Sequence, residues 1–247
     1  MPATPSRKEL RQMKRDGVID INGELNAKRY QVNPTIKALT EGQKAAKDAW
    51  DEGYQLCLMG SAGTGKTFLA FWFALNQVLR LRNYEKICYI RSTVQTRNMG
   101  FMPGGIGEKT EQFENVAIGH VNKICDREDG FATLKQTHKF QFHSTSFLRG
   151  AEFEDSIVIV DECQNMTFHE LDTILTRIGH NCRVIFCGDT AQNDLENMRQ
   201  REESGFPKMI RILENMDEFD IVEFDTSDIV RSGLVKSYIE TKNRLGL

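Results

Sequence analysis

No apolar run in the 247-residue chain approaches the ~20 residues that a bilayer-spanning helix needs; the longest, residues 68–75, falls far short. The N-terminus also lacks the apolar core of a signal peptide. The six cysteines, at 57, 88, 125, 163, 182 and 187, form no C-x-x-C pair. Most lie inside apolar runs, where a free thiol behaves as a small hydrophobe. These absences predict a reduced, cytoplasmic chain without membrane association. An excess of basic charge is missing too. Lys and Arg number 32 against 35 Asp and Glu, a formal net charge of −3, so any nucleic-acid site has to be a local patch. Hydrophobic content of 40% and charged content of 27% are those of a globular domain with a sizeable core.

What is present begins with Gly60-Ser61-Ala62-Gly63-Thr64-Gly65-Lys66-Thr67. The apolar run Leu56 to Met59 precedes it and an apolar helix-like stretch follows, so the order reads strand, glycine-rich turn, helix. Gly60, Gly65, Lys66 and Thr67 have the spacing of a phosphate loop, G-x-x-x-x-G-K-[ST]. Its glycines let backbone N–H groups converge on phosphate oxygens at the positive end of the helix. Lys66 supplies a cation for the outer phosphates, and the Thr67 hydroxyl is a ligand for Mg²⁺. This reading makes residues 60–67 the nucleotide-binding segment.

Upstream, residues 1–38 read as a basic extension outside the core. Through Arg15 they carry Arg7, Lys8, Arg11, Lys14 and Arg15 against Glu9, and Pro2, Pro5, Pro34, Gly17 and Gly23 break the stretch. The ATPase domain is expected from 39 to 247. Thr40 and Gln43 have capping-box spacing at the start of a helix running to Trp50. Gln43 also precedes the phosphate-loop strand, where its amide could read an adenine edge.

Downstream, the phosphate-loop helix is expected from Thr67 to Leu81. Ile87 to Ile90 reads as a short buried strand. A glycine-rich segment, Gly100-Phe101-Met102-Pro103-Gly104-Gly105-Ile106-Gly107, is too rich in glycine for core and long enough to be functional. A helix is expected from Glu108 to Cys125 and a strand over Phe140 to His143. Ile157-Val158-Ile159-Val160 is a fully buried strand by its β-branched run, and Asp161 and Glu162 emerge at its carboxyl end. Ligands bind outside such strand ends. There Asp161 can hold Mg²⁺ and Glu162 can orient or deprotonate water. Thr167 and Glu170 form a second capping box, with Gly179 ending that helix. A strand over Arg183 to Cys187 leads to Gly188-Asp189-Thr190-Ala191-Gln192. A helix near Phe206 to Leu213, a strand over Ile221 to Phe224 and a last helix starting near Asp228 complete the alternation. The order predicts one α/β domain, a three-layer α/β/α sandwich with a mostly parallel sheet.

Further signatures fall in the same order: Phe147-Leu148-Arg149-Gly150, Val160-Asp161-Glu162-Cys163-Gln164-Asn165, Leu175-Thr176-Arg177-Ile178-Gly179, residues 188–194 and Asp228-Ile229-Val230-Arg231. With the phosphate loop, this series resembles the PhoH family of phosphate-starvation-type ATPases, including those of bacteriophages, over about residues 38–244. The resemblance implies a RecA-like P-loop NTPase core related to superfamily 1 helicases, in a bacterial or phage-infected cytoplasm. It implies adenine reading by Gln43 and γ-phosphate sensing by Gln192. Lys66 and Thr67 would hold phosphate and Mg²⁺, Asp161 the metal, and Glu162 the water. This sequence keeps only part of the family's Leu-Pro pattern at Phe101-Met102-Pro103.

Superfamily 1 helicases take an arginine finger from a second RecA-like domain. This chain shows one such domain, so the expectation is a homo-oligomer, a hexameric ring, in which a neighbour supplies the finger. Arg231 is the first candidate and Arg177 the second; Arg177 could equally neutralise its own helix end. The expected activity is Mg²⁺-dependent ATP hydrolysis coupled to helicase-like binding or remodelling of RNA or single-stranded DNA, with Arg97, Phe101 and Met102 of the glycine-rich loop facing a central pore. The alternative is an ATP-dependent regulatory switch or protein remodeller without nucleic-acid activity.

Overall fold

A computed structural model describes residues 7–15, 18, 31–92, 106–145, 148, 150–189 and 204–245. Their order is α1 (Arg7–Arg15), α2 (Glu41–Glu52), β1 (Gln55–Gly60), α3 (Lys66–Leu75), β2 (Lys86–Arg91), α4 (Ile106–Cys125), α5 (Gly130–Gln136) and β3 (Phe140–Ser144). Then come β4 (Ser156–Asp161), α6 (Phe168–Leu175), β5 (Cys182–Gly188), α7 (Phe206–Leu213), β6 (Phe219–Phe224) and α8 (Gly233–Arg244).

Six strands form one sheet in the order β3-β2-β4-β5-β1-β6, with every pair parallel. The chain leaves β1, crosses over β5 and β4 to lay down β2, and later fills the gap. All carboxyl ends therefore share one edge, where α/β proteins bind ligands. β4 sits near the middle and is buried along its whole length, as a β-branched run inside a parallel sheet must be. Alternation along the strands divides the core in two. Leu56, Leu58, Ile87, Tyr89, Ile157 and Ile159 pack with α2, α3 and α4. Cys57, Cys88, Ile90, Val158 and Val160 pack with α6 and α7 on the other face. The expected three-layer α/β/α domain with a parallel sheet is present. Among the described residues, no helix is long and apolar enough to cross a membrane.

Several boundaries differ from expectation. The described part of the N-terminal segment is mostly exposed but anchored to the domain: Met13, Val18 and Val32 are buried in the main core cluster, and Asn33 N donates to Ile124 O at 2.8 Å. Apolar residues spaced between charges hid this. The helix after the phosphate loop is α-helical only to Leu75 and continues as a π-helix over Asn76–Leu81. Asn76 Nδ2 donates to Trp72 O at the junction (2.8 Å), the kind of side-chain insertion that accompanies such bulges. α6 has its capping box, but stops at Leu175. Gly179 instead serves a close crossing, since a Cβ there would lie 2.7 Å from Phe153 O. Asp228 does not open the last helix: it closes a 3₁₀ turn over Thr226–Asp228, and α8 begins at Gly233.

Candidate nucleotide site

Gly60 leaves β1 at φ 141, and a Cβ there would sit 2.4 Å from Phe224 O of the neighbouring β6. Only glycine fits that position. The loop turns through Gly63 and reaches Gly65, at φ 92, which caps α3 without a side chain. Lys66 folds back along it, its Nζ donating to Gly60 O (2.5 Å) and Ser61 O (2.9 Å). Burial lowers the Lys66 pKa, against the opposing pull of Cys187, Asp189, Asp161 and Glu162. The loop is braced by Thr64, whose Oγ1 donates to Ser61 O at 3.1 Å. Ala62 is exposed at its tip.

Side chains from the start of α3, from β2 and from the end of β4 meet here. Thr67 Oγ1 donates to Asp161 Oδ1 at 2.9 Å. Tyr89 OH donates to Asp161 Oδ2 at 2.7 Å. The register sets Arg91 directly beside Asp161, so Tyr89, two residues earlier, lies on the same face. Arg91 reaches both carboxylates: its Nη1 is 4.0 Å from Asp161 Oδ2 and its Nη2 is 3.3 Å from Glu162 Oε1. Glu162 adopts φ 57, uncommon for a residue with a side chain. Gln164 Nε2 donates to Glu162 Oε2 at 2.6 Å, while Gln164 Oε1 accepts from Asp189 N at 3.0 Å. Burial raises the Glu162 pKa and Asp161 raises it further, with Arg91, Gln164 and Lys66 opposing. Burial also holds the Tyr89 phenol well above its ordinary value.

One hydroxyl and one carboxylate at hydrogen-bond distance are hard oxygen donors. They suit Mg²⁺, which takes few protein ligands and completes its shell with waters and phosphates. Among the described residues, no three His, Cys, Asp or Glu side chains converge as a self-sufficient metal site.

The roof of the loop comes from both ends of the domain. Gln43 Nε2 donates to Thr64 O (3.0 Å), and its Oε1 accepts from Leu39 N (2.9 Å). Thr40 Oγ1 caps Gln43 N as expected, but the returning bond goes to Leu39, not to the capping residue. From the C-terminal side, buried Asp228 accepts from Gly42 N and Asp225 N, both at 3.0 Å. Val230 N then donates to Gly63 O at 3.1 Å. Arg231 lies over the same loop: a Cβ on Gly63 would be 2.9 Å from Arg231 Cγ. The arginine expected to reach a neighbour's nucleotide thus sits at its own phosphate loop. Arg177 is at the opposite end of the sheet, where its carbonyl accepts from Phe153 N (3.1 Å) ahead of β4 and its Nη1 donates to Thr173 O (3.3 Å). That last bond fits the helix-end reading.

Gln192, Arg97, Phe101, Met102, Phe147 and Arg149 lie outside the described residues. Tyr89, Arg91 and the roofing role of Asp228 were not foreseen. A tyrosine and an arginine two apart on a strand otherwise buried were the available signal, but only the β2–β4 register shows what they face.

The profile of the PhoH family, described as PhoH-like protein, matches residues 35–242. A PhoH-like protein of Mycobacterium leprae (strain TN) is 30% identical over 207 residues, covering 83% of this chain and 58% of that protein. Protein PhoH of Escherichia coli (strain K12) is 30% identical over 81% of this chain and 56% of its own length. The chain thus spans under three-fifths of either relative. Among solved structures, the Pif1 helicase of Candida albicans superposes with a TM-score of 0.43 and 18% identity, over 85% of this chain and 44% of that one. The phosphate loop, the acidic strand end and the family match agree: this chain is a nucleotide-binding P-loop protein and belongs to the PhoH family.

Proposed function

We propose that the chain is a Mg²⁺-dependent ATPase, acting in a homo-oligomeric ring and coupled to RNA or another single-stranded nucleic acid. The observation that carries this reading is the 2.9 Å contact between Thr67 and Asp161 at the mouth of the phosphate loop. It joins the two positions proposed to hold the metal from separate elements and leaves Glu162 one residue further along.

Phosphoryl transfer to water is mainly positioning and charge neutralisation. Loop amides cradle the phosphates, and Lys66 exchanges the carbonyls of Gly60 and Ser61 for phosphate oxygens. Thr67 and Asp161 would hold Mg²⁺, which neutralises triphosphate charge when bound. Glu162 orients a water and takes its proton as the water oxygen attacks the γ-phosphorus. The bond to the β–γ bridging oxygen breaks, giving ADP and phosphate. Arg231, over Gly63, adds positive charge from within the chain. Arg177, a strand length (~20 Å) from the carboxyl edge, has no access to its own nucleotide and is the candidate for a neighbour's. The segment from Arg97 to Met102, after β2, is the proposed nucleic-acid contact.

The test is phosphate release from ATP with and without single-stranded RNA, on wild type and Glu162→Gln, with native mass measured in parallel. The expected result is stimulated hydrolysis by an assembly, lost in the variant while ATP binding persists. Turnover indifferent to RNA and to single-stranded DNA would shift the reading to an ATP-controlled switch. Retained hydrolysis in Glu162→Gln would remove that residue from its role.

A further inference from the structure

We infer that Arg91 is a positioning residue for Glu162, the partner that fixes the water-activating carboxylate in direction; this rests on the ATPase reading. Glu162 has little of its own to hold it in place. It lies beyond the last residue of β4, outside the ladder, on a backbone at φ 57. Such a conformation is strained for a residue with a Cβ and persists only when its surroundings over-determine it. A glutamate there has three side-chain torsions of its own, and general-base work needs its oxygens held in one direction.

Two donors remove that freedom. Gln164 Nε2 takes Oε2 at 2.6 Å, and Arg91 Nη2 takes Oε1 at 3.3 Å. They approach from different elements, one from the 3₁₀ turn after β4 and the other from the end of β2, so neither can be displaced by moving the other. Gln164 is itself anchored by Asp189 N at the end of β5. Arg91 is anchored by the ladder that pairs it with Asp161, and its other nitrogen faces the Asp161 carboxylate. A planar fork can address two carboxylates at once, whereas an ammonium is a single point. Arg91 thus ties the water-activating residue to the metal-binding one at a fixed spacing.

The experiment compares steady-state ATP hydrolysis by wild type, Arg91→Lys, Arg91→Gln, Glu162→Gln and the Arg91→Gln/Glu162→Gln double variant. Equilibrium binding of a non-hydrolysable ATP analogue is measured for each. Arg91→Gln is expected to lower kcat about tenfold or more while analogue Kd stays within about twofold, with Arg91→Lys in between. In the Glu162→Gln background the same change should alter the residual rate less than about twofold, because the residue it acts through is gone. Multiplying effects in the double variant would overturn the inference, as would an unchanged kcat or a loss of analogue binding as large as the loss of rate. Should Arg91→Gln fail to fold, Arg91→Lys carries the same comparison. A wild type that binds the analogue yet releases no phosphate removes the ATPase reading and this inference with it; hydrolysis untouched by Arg91 variants removes the inference alone.

Discussion

Gln43 uses both ends of one amide, giving a proton to Thr64 O in the phosphate loop and taking one from Leu39 N ahead of α2. Thr64 is fully buried, so its carbonyl has no water to turn to. Truncating Gln43 to alanine should therefore cost ~1–3 kcal/mol of stability, the penalty for a buried polar group left alone, read from urea unfolding. Adenine reading by the same amide requires it to release one of these partners. Were that its main task, Gln43→Ala would leave stability unchanged and erode the preference for ATP over GTP in Kd. The cysteines allow a second prediction. Burial pushes the Cys57 and Cys125 thiols up to about 12 and Cys88 to about 11, and it holds Cys163 and Cys187 well above their ordinary value. Since the thiolate is the nucleophile, these five should resist iodoacetamide in the folded protein. Cys182, only half-buried, should be alkylated first, which peptide mass spectrometry resolves.

At the level of elements, the start of α2 and the turn before α8 form one clasp over the phosphate loop. A Cβ on Gly42 would fall 2.7–2.9 Å from the Asp228 carboxylate, so α2 approaches the turn as closely as a glycine allows. Gly42→Ala must push that carboxylate away from two N–H groups, and should destabilise by ~1–3 kcal/mol. Asp228→Asn, which keeps the shape but loses charge-assisted acceptance, should cost less, and thermal unfolding ranks the two. The sequence made the regular parts of this architecture legible because their signals are local. The β-branched run before Asp161, the glycines of the loop and the Thr167–Glu170 box each specify structure within a few residues. The clasp was not legible, since Gly42 and Asp228 are 186 positions apart and, although each lies in a recognisable stretch, nothing local says that the two stretches meet. Nor were Tyr89 and Arg91 as parts of the site, because a one-residue slip in the β2–β4 register would turn both to the other face. The acidic pair itself was readable from one strand; what holds it was not.

On the scale of the whole molecule, the two arginines expected to serve a neighbour stand at opposite ends of the sheet. Arg231 lies over its own phosphate loop, and Arg177 lies where β4 and β5 begin. In a head-to-tail ring one subunit's carboxyl edge faces a different surface of the next. A residue far from its own site is then the one able to complete another. Mixed assemblies separate the two cases. Arg177→Ala and Glu162→Gln subunits should each be inactive alone. Mixed in equal amounts, an Arg177→Ala subunit keeps its Glu162 and can receive Arg177 from a Glu162→Gln neighbour. Random assembly then restores about a quarter of the wild-type sites. Arg231→Ala mixed with Glu162→Gln should restore none, because every subunit lacks one residue of its own site and no neighbour can return it. Recovery in the Arg231 mixture but not in the Arg177 mixture would reverse the assignment, placing Arg231 in the neighbour's site despite its seat on Gly63. No recovery in either would mean that each subunit's site is completed from within its own chain.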